Sequence, residues 1–139
     1  MKRFFFLVVL SLASFHSFAQ QGKVTLEIEI QGLKNRNGHL LIDLFDSEEN
    51  YMKQAVVNRT YVLADSDSTL FTVSDIEPGN YAVTVLQDDN MNGEIDFGAM
   101  GPVELYGFAN NPPSLFGPAK FSKALIEIRE DRKITIKLH

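Results

Sequence analysis

The feature that most constrains the fold is an alternation of apolar and polar residues that recurs along the chain. In 24–30 every second residue is Val, Leu or Ile, and the residues between them are Thr and Glu. The same period of two returns in 81–86 and in 133–138. Because successive side chains of a β-strand point to opposite faces of the sheet, this pattern predicts strands with one buried face.

Turn signals separate these strands at short intervals. Asn37-Gly38 predicts a hairpin that joins the first strand to a second in 40–44. A short helical turn is expected in 46–54, and a final hairpin is expected to pair 125–128 with 133–138. Further strands are predicted in 56–63, 68–76 and 81–86. About seven strands with turns roughly every 8–12 residues predict an all-β fold, a single Greek-key β-sandwich of antiparallel strands.

The first 19 residues are typical of an export signal. Lys2 and Arg3 precede an apolar run in 4–12, and a small-x-small cleavage site ends at Ala19. That run is shorter than the roughly 20 apolar residues that span a bilayer. We therefore expect cleavage near Ala19, export to the periplasm, outer surface or medium, and one β-sandwich domain in 20–139 without a transmembrane segment.

The net charge limits the expected partners, and the cysteine content limits how the domain can be stabilised. Without Lys2 and Arg3, 11 basic residues stand against 18 acidic ones, a formal charge of −7. Such a surface repels phosphate backbones, so nucleic acid is not an expected partner. The chain has no cysteine, so a packed core must stabilise the domain without disulfides.

Residues 88–119 interrupt the strand pattern and predict one long loop. The segment is rich in Gly, Pro, Asn and Asp, and its apolar residues follow neither the period of a strand nor that of a helix. Loops of this length are usually functional or disordered. Order is the better expectation, because disordered segments are poor in large apolar residues. Those in this loop are Phe97, Leu105, Tyr106, Phe108, Leu115 and Phe116.

The start of this loop has the oxygen spacing of a calcium site. The predicted ligands are the side chains of Asp88, Asn90, Asn92 and Asp96, the carbonyl of Glu94, and a further carboxylate from Glu104 or Asp89. With Gly93 they match the D-x-[DN]-x-[DN]-G pattern that wraps Ca²⁺. Ala99 stands where an EF-hand places its bidentate Glu. Few charged ligands imply weak binding, on the order of 10⁻⁴–10⁻³ M.

The alternative interpretation of this segment is an Asx-rich turn that binds no ion. Asn-Gly and Asp-Asn are ordinary turn sequences, because Asn, Asp and Gly all tolerate a left-handed backbone conformation. An EF-hand itself is excluded by the flanks, since a strand pattern precedes the segment and Gly98, Gly101 and Pro102 follow it.

A second distinctive segment, 101–113, is a candidate for the rim of a shallow site that binds a ligand or partner. Its candidate residues are Tyr106, Phe108, Asn110 and Asn111. Alternatively, the two aromatic rings anchor the loop on the sandwich while the two amides bind backbone groups.

Three motifs follow one another along the chain: Pro78-Gly79-x-Tyr81, Asp88-x-Asn90-x-Asn92-Gly93-x-x-Asp96 and Gly101-x-x-Glu104-x-x-Gly107-Phe108-x-Asn110. Taken together, they resemble the DUF2141 family of exported bacterial proteins, whose function is undefined. Gln87 departs from the family pattern, in which His is expected, and Ala109 stands where Ser is common. The Pro-Gly-x-Tyr turn is also similar to one in transthyretin-like and carboxypeptidase-regulatory-like sandwiches, so the resemblance implies that topology.

Candidate catalytic residues are few. His39 begins a predicted strand, and no cysteine or serine elbow offers a nucleophile. We therefore expect a non-enzymatic exported module that binds Ca²⁺ and presents a surface to an unidentified protein or saccharide. The alternatives are a binding module for a small ligand or saccharide, and a hydrolase with two carboxyl groups about 5–9 Å apart.

Overall fold

The computed structural model describes residues 22–65, 67–113 and 117–139. The expected leader, Ser66 and the apolar pair Leu115 and Phe116 lie outside the described residues. A 3₁₀ turn spans Leu63–Asp65, and one short helix, α1, spans Phe121–Ala124. The strands are β1 Val24–Gln31, β2 His39–Phe45, β3 Val57–Val62, β4 Leu70–Ile76, β5 Gly79–Asp88, β6 Phe97–Gly98, β7 Gly101–Pro102, β8 Leu105–Phe108, β9 Leu125–Ile128 and β10 Arg132–Lys137.

Two sheets form a sandwich, and the prediction of an all-β fold is confirmed. The smaller sheet has the order β10-β1-β4. The larger sheet has the order β3-β2-β5, and the free side of β5 pairs with both β9 and β8. Strand β9 lies along the first half of β5 and β8 along its second half.

The core lies between the inward faces of the two sheets. The alternating residues of β1 are all buried there, as are those of β2 at every second position. Burial of apolar surface at about 25 cal/mol per Å² is the main stabilising contribution in such a core. The fully enclosed side chains include Leu26, Ile28, Ile30, Leu40, Ile42, Leu44, Val73, Ile76, Ile128 and Ile136.

Both predicted hairpins are wrong. β1 and β2 belong to different sheets, and so do β9 and β10. β10 also runs parallel to β1, so the strands are not all antiparallel as predicted. The period of two determines which face of a strand is buried, but strands of both sheets bury the same kind of face. The pattern therefore does not specify the pairing partner.

The long segment 88–119 is more regular than predicted, because it contains β6, β7 and β8. β6 and β7 pair only with each other, whereas β8 extends the larger sheet. Neither helical segment of the described residues has the length and apolar character that a membrane crossing requires.

A second, smaller apolar cluster covers one end of the outer face of the larger sheet. Its buried members are Phe45, Ala82, Phe108, Ala119 and Ala124. Helix α1 and the segment 51–55 cover this end of the face. The centre of the Tyr51 ring lies 5.4 Å from that of Phe45 and 5.6 Å from that of Phe121. Among the described residues, none covers the rest of that outer face, which borders the 88–96 loop.

Candidate functional site

The 88–96 loop follows directly from β5 and is curled by its own first residue. The carboxylate of Asp88 is buried and accepts two main-chain N–H groups, from Asn92 at 3.2 Å and from Gly93 at 2.8 Å. Gly93 has φ +82°, and Met91 has φ +63°. Gly93 fits the pattern because a left-handed backbone favours glycine.

The two asparagines of the loop bind its backbone and its last carboxylate. Oδ1 of Asn90 accepts the Asn92 N–H at 3.1 Å, and Oδ1 of Asn92 accepts the Glu94 N–H at 2.9 Å. Their Nδ2 groups donate to the two oxygens of Asp96, at 2.5 Å from Asn90 and 3.1 Å from Asn92. The structure thus brings Asn90, Asn92 and Asp96 into contact inside a loop that Asp88 curls.

Glu104 supports the base of the loop. Its side chain is buried, and its two oxygens accept the N–H groups of Asp89 at 2.9 Å and Asp96 at 3.1 Å. One carboxylate therefore ties together the first and last parts of the loop. Asp89, the other candidate for a further ligand, accepts a hydrogen bond from Nε2 of Gln87 at 3.2 Å.

Residues that the sequence did not identify as part of the site connect this loop to the β1–β2 link. Gln87 is buried, its Oε1 accepts the Lys34 N–H at 3.2 Å, and its Nε2 donates to Oδ1 of Asn35 at 3.0 Å. A Cβ placed on Gly38 would lie 2.0 Å from the carbonyl oxygen of Asp88. The signal in the sequence was a polar residue, Gln87, at an inward position of β5.

Negative charge is concentrated here without a basic partner. In the described parts of the chain no ion pair involves Asp88 or Glu104. Within the same residues, no three His, Cys, Asp or Glu side chains gather in a group that could hold a metal. A cation in this loop would thus depend on the oxygens of Asn90 and Asn92 and the carbonyl of Glu94 as well as on carboxylates.

The four candidate rim residues, Tyr106, Phe108, Asn110 and Asn111, contact different parts of the molecule. Phe108 is buried in the smaller apolar cluster, and the half-buried ring of Tyr106 meets it edge-on at 5.6 Å. The Asn110 amide donates to the carbonyl oxygens of Lys123 and Leu125. The Asn111 amide donates to the carbonyl of Thr135 and accepts the N–H of Lys137. Both amides therefore bind backbone groups, the alternative considered for this segment.

Beside the loop, the open outer face of the larger sheet forms a cleft of about 510 Å³. Its floor includes Leu41, Asp43 and Leu86, and one wall carries Ile95 and Phe97. Tyr106 and Phe108 also line the cleft. Burial raises the pKa of the Asp43 carboxyl, and a hydrogen bond from Asn58 partly opposes that shift. Tyr106 and Phe108 were candidate rim residues in the sequence, but the other lining residues, which belong to β2, β5 and the 88–96 loop, were not identified.

Comparison with known proteins identifies the chain at the level of its family. No curated protein matches it, and no solved structure matches it. A family model described as "Uncharacterized protein conserved in bacteria (DUF2141)" matches residues 28–137, from within β1 to the end of β10. Since the match covers most of the chain, and the motifs of the 88–96 loop and the β7–β8 region lie within it, the chain belongs to the DUF2141 family.

Proposed function

We propose that this chain is an exported, non-enzymatic β-sandwich module whose 88–96 loop binds Ca²⁺ and thereby orders a surface for a protein or saccharide partner. The observation that carries the proposal is the convergence of Asn90 and Asn92 on Asp96 in a loop already curled by Asp88. Glu104 holds both ends of that loop.

The chemistry of these groups suits a hard cation. Ca²⁺ takes six to eight oxygens at about 2.3–2.6 Å, and carboxylates, amides and main-chain carbonyls all serve. The side chains of Asp88, Asn90, Asn92 and Asp96 and the Glu94 carbonyl supply such oxygens, with water completing the set. Asp96 now accepts hydrogen bonds from two neutral amide groups, those of Asn90 and Asn92. A cation would supply the positive charge that this carboxylate lacks.

Glu104 has a supporting role in this proposal. Its two oxygens accept the main-chain N–H groups of Asp89 and Asp96, one near each end of the loop, so it holds the loop closed before an ion binds. Asp88 also accepts two main-chain N–H groups, but it stands at the first position of the ligand spacing, whereas Glu104 lies outside that spacing. Only Asp88 and Asp96 then contribute charge directly, which supports an affinity on the order of 10⁻⁴–10⁻³ M. Affinity of that order fits a structural ion outside the cytoplasm, in keeping with the export signal expected in residues 1–19.

The test is a thermal melt of the purified protein in calcium, in magnesium and in chelator. At a free Ca²⁺ concentration ten times Kd, native-state binding adds about 1.4 kcal/mol. For a domain of this size we expect the midpoint to rise by about 4–6 °C. Asp96→Asn should lose that shift.

Glu94→Gln is the matched control. It removes the same charge from the same loop, but Glu94 is proposed to contribute only its main-chain carbonyl, so the calcium shift should remain. No shift in the unsubstituted protein at about 10 mM Ca²⁺, at least ten times the expected Kd, would refute calcium binding. An equal shift in Asp96→Asn would refute the site.

A second candidate, a module that binds a small ligand, is favoured by the cleft. Tyr106 and Phe108 line it together with Leu41 and Leu86. An apolar lining with few polar groups is typical of small-molecule sites. The same lining favours a ligand with an apolar body over a saccharide.

A further inference from the structure

The floor of the cleft is an apolar surface on a rigid sheet. Leu41 of β2 pairs with Leu86 of β5, and Leu86 pairs with Tyr106 of β8. Three strands therefore place an apolar side chain in one row across the outer face. At the other end of the sheet, α1 and residues 51–55 cover the row of Phe45 and Ala82. The row of Leu41, Leu86 and Tyr106, in contrast, borders the cleft.

The next row contains Asp43, the one carboxylate that the described residues place on the floor. Asp43 lies between Asn58 of β3 and Thr84 of β5. Its Oδ1 accepts a hydrogen bond from Nδ2 of Asn58. Among the described residues, Asp43 forms no ion pair. Burial without a cation raises the pKa of this carboxyl, since the charged form loses hydration that no basic group replaces.

The charges around the cleft favour a positive ligand. Glu94 on the wall adds a second carboxylate. Lys53, the one basic residue among the described residues of the lining, directs its Nζ to the carbonyl oxygen of Glu49 at 3.0 Å. The aromatic rings of Tyr106 and Phe97 can also attract a cation through their faces.

We propose that this cleft binds a small organic amine, with its apolar body on Leu41, Leu86 and Tyr106 and its ammonium group on the carboxylate of Asp43. A volume of about 510 Å³ lies in the usual range for small-molecule sites, about 300–1,000 Å³. The floor belongs to the sheet, so the proposal does not rest on calcium binding. The wall residues Ile95 and Phe97 belong to or follow the 88–96 loop, so an ion there would affect only the wall.

Three probes with one apolar body test the charge preference. 4-Phenylbutylamine, 4-phenylbutanol and 5-phenylpentanoate, which share a phenyl ring and a chain of four methylenes, are titrated separately into the isotopically labelled protein, and amide chemical shifts are followed by NMR. We expect the amine to shift the amides of 41–43, 84–86 and 106. It should bind about tenfold more tightly than the alcohol, as one charged hydrogen bond implies, and the carboxylate should bind least.

Substitutions at the floor provide the controls. Asp43→Asn should abolish the preference of amine over alcohol, while Asp75→Asn, the same change at an exposed position of the other sheet, should keep it. Leu86→Arg should abolish binding of the amine and the alcohol, because a bulky basic side chain then occupies the floor beside Asp43.

Several outcomes would overturn the proposal. They are equal binding of amine and alcohol by the unsubstituted protein, amide shifts that map outside the cleft, or no shift at millimolar amine. The unsubstituted protein alone decides all three, so a variant that fails to fold leaves the test intact. Repeating the titration in chelator separates a failure here from a failure of the calcium proposal.

Discussion

Glu104→Gln is the substitution whose effect the geometry predicts most sharply. The native carboxylate accepts main-chain N–H groups from both ends of the 88–96 loop. A Gln side chain keeps one acceptor but turns an N–H₂ group toward the second main-chain N–H. One charged hydrogen bond is thus removed, the other becomes neutral, and a buried donor is left without an acceptor.

The magnitude follows from the hydrogen bonds involved. Bonds to charged groups contribute about 1.5–3 kcal/mol each, and an unsatisfied buried donor costs about 1–3 kcal/mol. Because these terms overlap, we expect Glu104→Gln to lower the free energy of unfolding by about 2–4 kcal/mol. At roughly 4 °C per kcal/mol for a domain of this size, the midpoint falls by about 8–16 °C.

Chemical denaturation and amide hydrogen exchange measure this effect. Exchange should accelerate most at Asp89 and Asp96, whose N–H groups lose their acceptor. Glu94→Gln is the matched control, because Glu94 is exposed on the same loop and its loss of charge should change stability by less than about 0.5 kcal/mol. If Glu104→Gln is no more destabilising than Glu94→Gln, the supporting role of Glu104 is wrong.

Three further predictions concern the backbone and the ionisable groups. Gly38→Ala should destabilise by about 3 kcal/mol or more in denaturation, because its Cβ would meet the Asp88 carbonyl at 2.0 Å and φ is +68°; a loss below 1 kcal/mol would contradict that contact. Burial raises the pKa of Tyr51 to about 12, so its contribution to stability is present below pH 10 and lost as pH rises to 12. Absorbance titration of Tyr51→Phe should lose that late step, and an ionisation of Tyr51 near pH 10 would refute it. The raised pKa of Asp43 means that its carboxylate weakens the fold once ionised, so Asp43→Asn should be at least as stable as the unsubstituted protein at pH 7. That advantage should shrink as pH falls through the raised pKa of Asp43 and be lost below about 3.8, where the carboxyl is protonated in both the folded and the unfolded protein. Marked destabilisation by Asp43→Asn at pH 7 would contradict the burial argument.

The strands were predictable from local pattern, because their inward residues repeat at every second position. The buried faces of β1 and β2 follow the alternation along their length. Pairing was not predictable in the same way, since β1 joins β10 from the far end of the chain. The choice of partner depends on the packing of the whole sandwich and not on local turn signals.

The site was predictable in part for the same reason. The oxygen spacing of the 88–96 loop is a local pattern, and the structure brings its side chains together. Glu104 was identified as a candidate ligand, but its bonds to both ends of the loop depend on how β8 pairs with β5. Tyr106 and Phe108 were named as candidate rim residues, but the floor of the cleft was missed because Leu41, Leu86 and Tyr106 become neighbours only through pairing across three strands.

The central claim, calcium binding by the 88–96 loop, is tested most directly by a crystal structure of the protein grown with millimolar Ca²⁺. We predict an ion with oxygens of Asp88, Asn90, Asn92 and Asp96 and the Glu94 carbonyl at about 2.3–2.6 Å, and with Glu104 still bound to the two main-chain N–H groups. A loop without density for an ion, in which both asparagine amides still donate to Asp96, would contradict the claim and leave an Asx-rich turn.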